Sequence, residues 1–126
     1  MRYVFILFIA LFSATTWAQD TTQIVKLENT IFKDSITHKK VMLVDVRTPE
    51  EFEEGHLEGA VNINYLDNEA FAKGIKTLDP GTPVFLYCRS GNRSGKAADS
   101  LSTKGFVKIY DLVGGYRGWV EKFEQE

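Results

Sequence analysis

Residues 41–47 read Val-Met-Leu-Val-Asp-Val-Arg and residues 84–88 read Val-Phe-Leu-Tyr-Cys, two short apolar stretches with scarcely a polar interruption. A strand with one wet face alternates apolar and polar positions. An unbroken run of this length therefore predicts a strand buried on both faces, the pattern of a parallel sheet sandwiched between helices. Val61-Asn62-Ile63 and residues 107–110 (Val-Lys-Ile-Tyr) predict two further short strands.

The segments between them have helical spacing. Leu27, Ile31 and Ile36 predict one apolar face of a helix over residues 27–39. Thr48-Pro49-Glu50-Glu51 predicts a helix start, with Thr48 as N-cap, Pro49 in the first position and Glu51 three residues after the cap. That short helix is expected to stop at Gly55. Residues 69–78 predict a helix, and Asp79-Pro80-Gly81-Thr82-Pro83 a turn. Ala97, Ala98 and Leu101 place a helix over residues 93–103, with Gly105 just past its end. Gly114-Gly115 interrupts the chain before a closing helix over residues 116–123. Strands alternating with helices, without a long linker or a repeat, predict a single α/β domain with a mainly parallel sheet.

The first residues follow a different pattern. Arg2 precedes nine continuous apolar residues, 4–12, and then a small-residue exit ending at Ala18. This run is too short to span a bilayer as a mature anchor. It predicts a cleaved secretory signal over residues 1–18, a folded domain over 19–126 and an exported, periplasmic location without membrane contact after cleavage. A retained anchor is the alternative reading. The net charge of −2 offers no broad basic surface, which argues against a nucleic-acid partner and leaves small anions to a local patch.

Cys88 is the only cysteine, and it opens the loop Cys88-Arg89-Ser90-Gly91-Asn92-Arg93-Ser94. A lone thiol in an oxidising compartment forms no internal disulfide and risks oxidation, so its retention asks for a reason. A buried, inert thiol is the plain alternative. With Cys88 ending a strand and Arg93 opening a helix, Gly91 lets the backbone turn so that amide N–H groups converge on the sulfur. The helix terminus lowers a thiol pKa by about one unit, and Arg89 and Arg93 add to the effect. Cys88 is accordingly expected at the tip of the strand as a thiolate nucleophile. His38 and His56 lie at no ligand-like spacing from it, which disfavours a metal, and one cysteine excludes intramolecular dithiol redox chemistry.

Four stretches together resemble the single-domain rhodaneses, a sulfurtransferase family, across nearly the whole expected domain. These are residues 43–47, residues 50–63, the loop at residues 88–94, and Gly114-Gly115-Tyr116-Arg117-Gly118-Trp119. The resemblance implies a three-layer α/β/α fold with a mainly parallel central sheet. It also implies that Cys88 takes a sulfane sulfur from a small anionic donor such as thiosulfate, becomes a persulfide, and passes the sulfur to cyanide, a thiol or a protein acceptor. No metal or organic cofactor is implied. Arg89, Ser90, Gly91, Asn92, Arg93 and Ser94 would bind donor and persulfide. Asp45 would pair with a loop arginine, and Arg47 would bind donor or shape the site, with a structural ion pair weighed equally for both.

The remaining residues carry blander expectations: His56 as a hydrogen-bonded structural residue, Trp119 as packing, residues 50–54 as a solvated helix face, and Tyr87 as either pocket wall or core. Two other readings stand beside a turnover sulfurtransferase. One is a persulfide carrier or a rhodanese-like interaction module. The other is a Cys-loop-Arg phosphatase or arsenate reductase, disfavoured because those loops place five residues between cysteine and arginine and this one places four.

Overall fold

The computed structural model describes residues 21–124, so the expected signal at residues 1–18 lies outside the described residues. The elements run β1 (Gln23–Leu27), α1 (Asn29–His38), β2 (Met42–Asp45), α2 (Pro49–Glu54), β3 (Val61–Asn62), α3 (Asn68–Ile75), β4 (Val84–Tyr87), α4 (Asn92–Ser102), β5 (Lys108–Leu112) and α5 (Gly115–Phe123). All the strand pairings are parallel, in the order β1-β5-β4-β2-β3. From β1 to β3 the chain moves across the sheet in one direction, and from β3 to β5 it returns. Right-handed crossovers in opposite directions place their helices on opposite faces.

The side chains bear this out. β4 sends Val84, Leu86 and Cys88 to one face, where they meet Phe71 and Ile75 of α3 and Ala97, Ala98 and Leu101 of α4. It sends Phe85 and Tyr87 to the other, against Phe32 of α1 and Trp119 of α5. The two-residue strand period thus divides the core into two layers about β4, which is buried throughout. The expected three-layer α/β architecture is the observed one.

Three sequence expectations need correction. A first strand, β1, precedes the helix expected from residue 27. It is an edge strand exposed over most of its length, so its side chains lack the buried-face alternation that marks a strand, and parallel pairing with β5 holds it instead. In α1 the buried residue is Phe32, packed edge-on against Phe85, while Ile31 points to solvent. β2 ends at Asp45 rather than Arg47, because the chain turns there to bring Arg47 back onto the Asp45 carboxylate.

α2 starts as expected: Thr48 caps it, its side chain accepting from the Glu51 N–H, and the Glu51 carboxylate closes the capping box. Gly55 ends it. Among the described residues no helix is long and apolar enough to cross a membrane.

Candidate active site

β4 lies between β2 and β5, where the chain reverses its direction across the sheet, and the crevice at the carboxyl end of such a strand is where open α/β sheets hold ligands. Cys88 sits at that end. The loop then turns through Gly91, whose φ of 108° is a left-handed conformation that a side chain disfavours, and Asn92 begins α4 directly. This turn brings the Gly91 N–H to 3.0 Å from the Cys88 sulfur. The thiol in turn donates to the Ser94 hydroxyl at 3.4 Å, from the first turn of α4.

The sulfur is more enclosed than expected. Cys88 is 1% exposed, and its neighbours in the core include Val46, Leu86 and Ala97, so the anticipated open tip is corrected to a covered one. Its sulfur meets one amide, that of Gly91, where several were expected to converge, and the Ser94 hydroxyl. Ser94 is buried with it, Gly91 and Arg93 are half-buried, and Arg89, Ser90 and Asn92 face solvent.

The loop is clamped from α5. The Tyr116 N–H donates to the Cys88 carbonyl at 2.8 Å and the Arg117 N–H to the Arg89 carbonyl at 3.0 Å. Gly115 permits that approach: its φ is +58°, and a methyl there would lie 2.6 Å from the Cys88 and Arg89 carbonyl oxygens. Backbone on both sides has no room to yield. Gly115→Ala is expected to cost about 2 kcal/mol or more and to loosen the loop, read as a lower Tm with faster backbone exchange at residues 88–91.

Asp45 and Arg47 adjoin the loop from β2, but they pair with each other. Arg47 Nη2 lies 2.7 Å from Asp45 Oδ2, Nε lies 3.0 Å from both oxygens, and the Arg47 amide donates to Oδ1 at 2.9 Å. Nη2 also donates to the Gly55 carbonyl at 2.6 Å. The guanidinium packs 4.3 Å from the Tyr116 ring centre, so Arg47 ties β2, α2 and α5 together under the loop. Burial works against its charge, but Asp45 outweighs burial and holds the guanidinium pKa up. The expected pairing of Asp45 with a loop arginine is thereby overturned: the local turn delivers Arg47 first.

The loop arginine has a different partner. Arg93 Nη1 lies 2.6 Å from Glu51 Oε1 and Nη2 3.0 Å from Oε2, a two-point pair joining α4 to the start of α2. Glu51 belongs to the run expected to be a solvated face, and only its capping role was legible. The Arg93 hydrogen bonds lower its pKa from 4.5 to about 2. A carboxylate depressed in this way adds stability above its unfolded value, and that stability disappears as pH falls toward 2. Glu51→Gln is expected to lower stability at neutral pH by about 1 kcal/mol, allowing for partial exposure, and to cost nothing further in strong acid, as denaturant titrations at the two pH values will show.

Other expectations hold. His56 donates from Nδ1 to the Phe52 carbonyl at 2.8 Å and stacks on the Phe52 ring. Trp119 packs against Phe32 and Phe123. Tyr87 is core, its hydroxyl accepting from the Leu57 N–H at 3.0 Å, and burial foremost pushes its pKa up. Two residues beside the site escaped the sequence analysis. Asn62 donates to the Asp45 and Arg47 carbonyls. Asp111 is a buried acid in β5, and an aspartate amid Ile109, Tyr110 and Leu112 is a signal that could have flagged it. Among the described residues no group of three or more His, Cys, Asp or Glu is placed to hold a metal ion.

A wholly parallel α/β sheet with one cysteine at the end of its central strand, held by the first turn of the next helix, defines a cysteine-loop α/β domain. The chain belongs to the rhodanese-like family, whose domain profile matches residues 28–122. It is 35% identical over 92 residues to the thiosulfate sulfurtransferase GlpE of Pseudomonas syringae, covering 73% of this chain and 84% of that one. It is 41% identical over 87 residues to the uncharacterized protein YqhL of Bacillus subtilis, covering 69% and 67%. Among solved structures, a rhodanese-related protein from Thermoplasma volcanium superposes with a TM-score of 0.69 at 26% identity, covering 79% and 93%.

Proposed function

We propose that this protein is a sulfurtransferase that carries sulfane sulfur as a persulfide on Cys88. The observation that carries this reading is the sulfur's position at the start of α4, with the Gly91 N–H 3.0 Å away. A backbone donor there favours negative charge on sulfur, in the attacking thiolate and in the persulfide alike.

With thiosulfate as donor, the Cys88 thiolate attacks the outer sulfur. A new S–S bond forms, the S–S bond of thiosulfate breaks, and sulfite leaves with the electron pair. A nucleophilic acceptor, cyanide or a thiol, then attacks the terminal sulfur and returns Cys88 as thiolate. A cleft of about 500 Å³ beside the loop is lined by Arg47, Arg89 and Arg117 together with Glu51, Glu54 and Glu121; Arg47 is paired with Asp45 and Arg117 with Glu121, which leaves Arg89 to meet an anionic donor there. The four-residue spacing between Cys88 and Arg93 favours this chemistry over phosphate or arsenate. The composition of residues 1–18 supports action outside the cytoplasm.

The test is intact mass spectrometry after thiosulfate treatment. The expected product is the protein plus one sulfur atom, lost on adding cyanide and absent in Cys88→Ser. A wild-type protein that no sulfane donor modifies overturns the proposal in favour of an interaction module. Steady turnover of free thiosulfate and cyanide marks an enzyme, and transfer confined to one protein acceptor marks a carrier.

A further inference from the structure

In a parallel sheet every strand starts at one edge, and the helices that return the chain end there too. At that edge, opposite the one that holds Cys88, lie Lys39 and Lys40 after α1, Lys73 and Lys76 at the end of α3, Lys104 after α4, and Lys108 at the start of β5. All six are exposed, and none has an ion-pair partner among the described residues. Asp79 sits among them in the turn before β4, its carboxylate already holding the Gly81 N–H and the Thr82 hydroxyl. Of 15 lysines and arginines and 17 acids in the chain, these six and Asp79 leave nine basic residues against sixteen acidic ones elsewhere. A chain of net charge −2 thus presents one cationic end.

A lysine in the last turn of a helix complements the helix dipole, which is reason enough for Lys73. That reason does not reach Lys40 and Lys108, which lead into β2 and β5. The clefts at this edge are distinctive as well. One of about 350 Å³ runs between Lys76 and Lys104 over Leu78 and Phe106, and one of about 340 Å³ separates Lys39 and Lys40 from Lys108 beside Val41 and Pro83. No acid lines either of them, whereas the clefts beside Arg89, Asp111 and His56 each hold at least two. Apolar floors rimmed by lysines suit a boundary between water and hydrocarbon, where the stems lie on apolar surface and the ammonium groups stay wet.

The chain also enters the fold at this edge. Thr22 Oγ1 donates to the Phe106 carbonyl at 2.8 Å and the Gln23 N–H to the Val107 carbonyl at 2.8 Å, which sets the start of β1 beside Lys104 and Lys108. The apolar run at residues 4–12 ends ten residues before Thr22, a reach of roughly 35 Å at full extension. A bilayer that takes up this run therefore has the lysine edge as its nearest part of the fold.

We propose that the lysine edge docks the full chain on an anionic phospholipid bilayer, with the apolar run at residues 4–12 as a second attachment. A short apolar insertion or a basic patch alone binds marginally, and the two together hold. Cys88, at the opposite edge, then faces away from the membrane. Docking of this kind takes up the alternative reading of residues 1–18, a retained attachment, and departs from the absence of membrane contact expected from the sequence. There the six lysines are scattered from residue 39 to residue 108 and form no run.

The experiment is sedimentation of the full chain with vesicles of phosphatidylcholine, alone or with phosphatidylglycerol added. Binding is expected to be more than about a hundredfold tighter to the anionic vesicles, and raising the salt is expected to abolish the difference. Lys40→Glu with Lys108→Glu is expected to weaken binding to the anionic vesicles by about thirtyfold or more, and to leave binding to phosphatidylcholine, the Tm and sulfur transfer unchanged. Lys96→Glu with Lys122→Glu, the same change of charge away from this edge, is expected to weaken it far less. Equal binding to the two kinds of vesicle, or equal losses in the two double variants, overturns the proposal. An acidic protein captured through the lysines, without any preference for anionic vesicles, overturns it in favour of a protein partner. Orientation is read from Cys88 itself: its iodoacetamide alkylation rate is expected to be the same on and off the vesicles, and protection on the vesicles would overturn the outward-facing site.

Discussion

Cys88→Ser is expected to lower sulfur transfer from thiosulfate to cyanide by more than about 10³-fold, to the uncatalysed level, while the Tm moves by only a few degrees. The two halves of that result have separate causes. A serine oxygen at the same place can still accept from the Gly91 N–H and face Ser94, and it is smaller than sulfur, so the packing among Val46, Leu86 and Ala97 survives with a minor void. An alkoxide is far harder to form than a thiolate and makes no persulfide. Transfer that persists in the serine protein would place the sulfur carrier elsewhere and remove the basis of the proposed function. Steady-state assays beside thermal melts on the two proteins decide the matter.

Asp45→Ala is expected to produce the largest loss of stability in the chain, about 3–5 kcal/mol, equivalent to a Tm lower by roughly 15 °C or more. Asp45 is fully buried, and it is the carboxylate for an Arg47 guanidinium that is itself only 4% exposed. Removing it leaves a cation enclosed by Tyr87, Tyr116 and the Gly55 carbonyl without its counter-charge. Replacing the two together, Asp45→Leu with Arg47→Met, is expected to recover most of the loss, because an apolar pair of similar volume avoids the desolvation cost of both ions. The double variant also separates the two roles the resemblance left open for Arg47. If Arg47 only holds β2, α2 and α5 together, the restored protein transfers sulfur with an unchanged KM for thiosulfate. A KM raised tenfold in a stable protein would instead show Arg47 binding the donor.

The features that were legible in the sequence are those carried by neighbours along the chain. Thr48, Pro49 and Glu51 specify the start of α2 because a capping box closes within one turn. The unbroken apolar runs around residues 43 and 85 announced a doubly covered parallel sheet, and Gly91 announced the turn at the sulfur. The Glu51–Arg93 pair joins residues 42 positions apart, and no local spacing reports such a contact. Asp45 was expected to meet a loop arginine, and the tight turn after β2 gave it Arg47 instead. Phe32 rather than Ile31 became the buried position of α1 because Phe85 and Trp119 approach from that side.

The sequence by itself determined the alternation of strand and helix, the nature of the fold as a layered α/β sheet, and the identity of the loop that holds the only thiol. Those follow from short-range steric and hydrogen-bonding preferences, and from the apolar content of each strand. Tertiary structure alone decided how deeply the sulfur is covered, which charges pair, and that Asp111 of β5 lies buried. Each of these depends on where β5, α4 and α5 come to rest around β4. Burial and charge pairing are properties of assembled surfaces, so the chain acquires them only when its layers close.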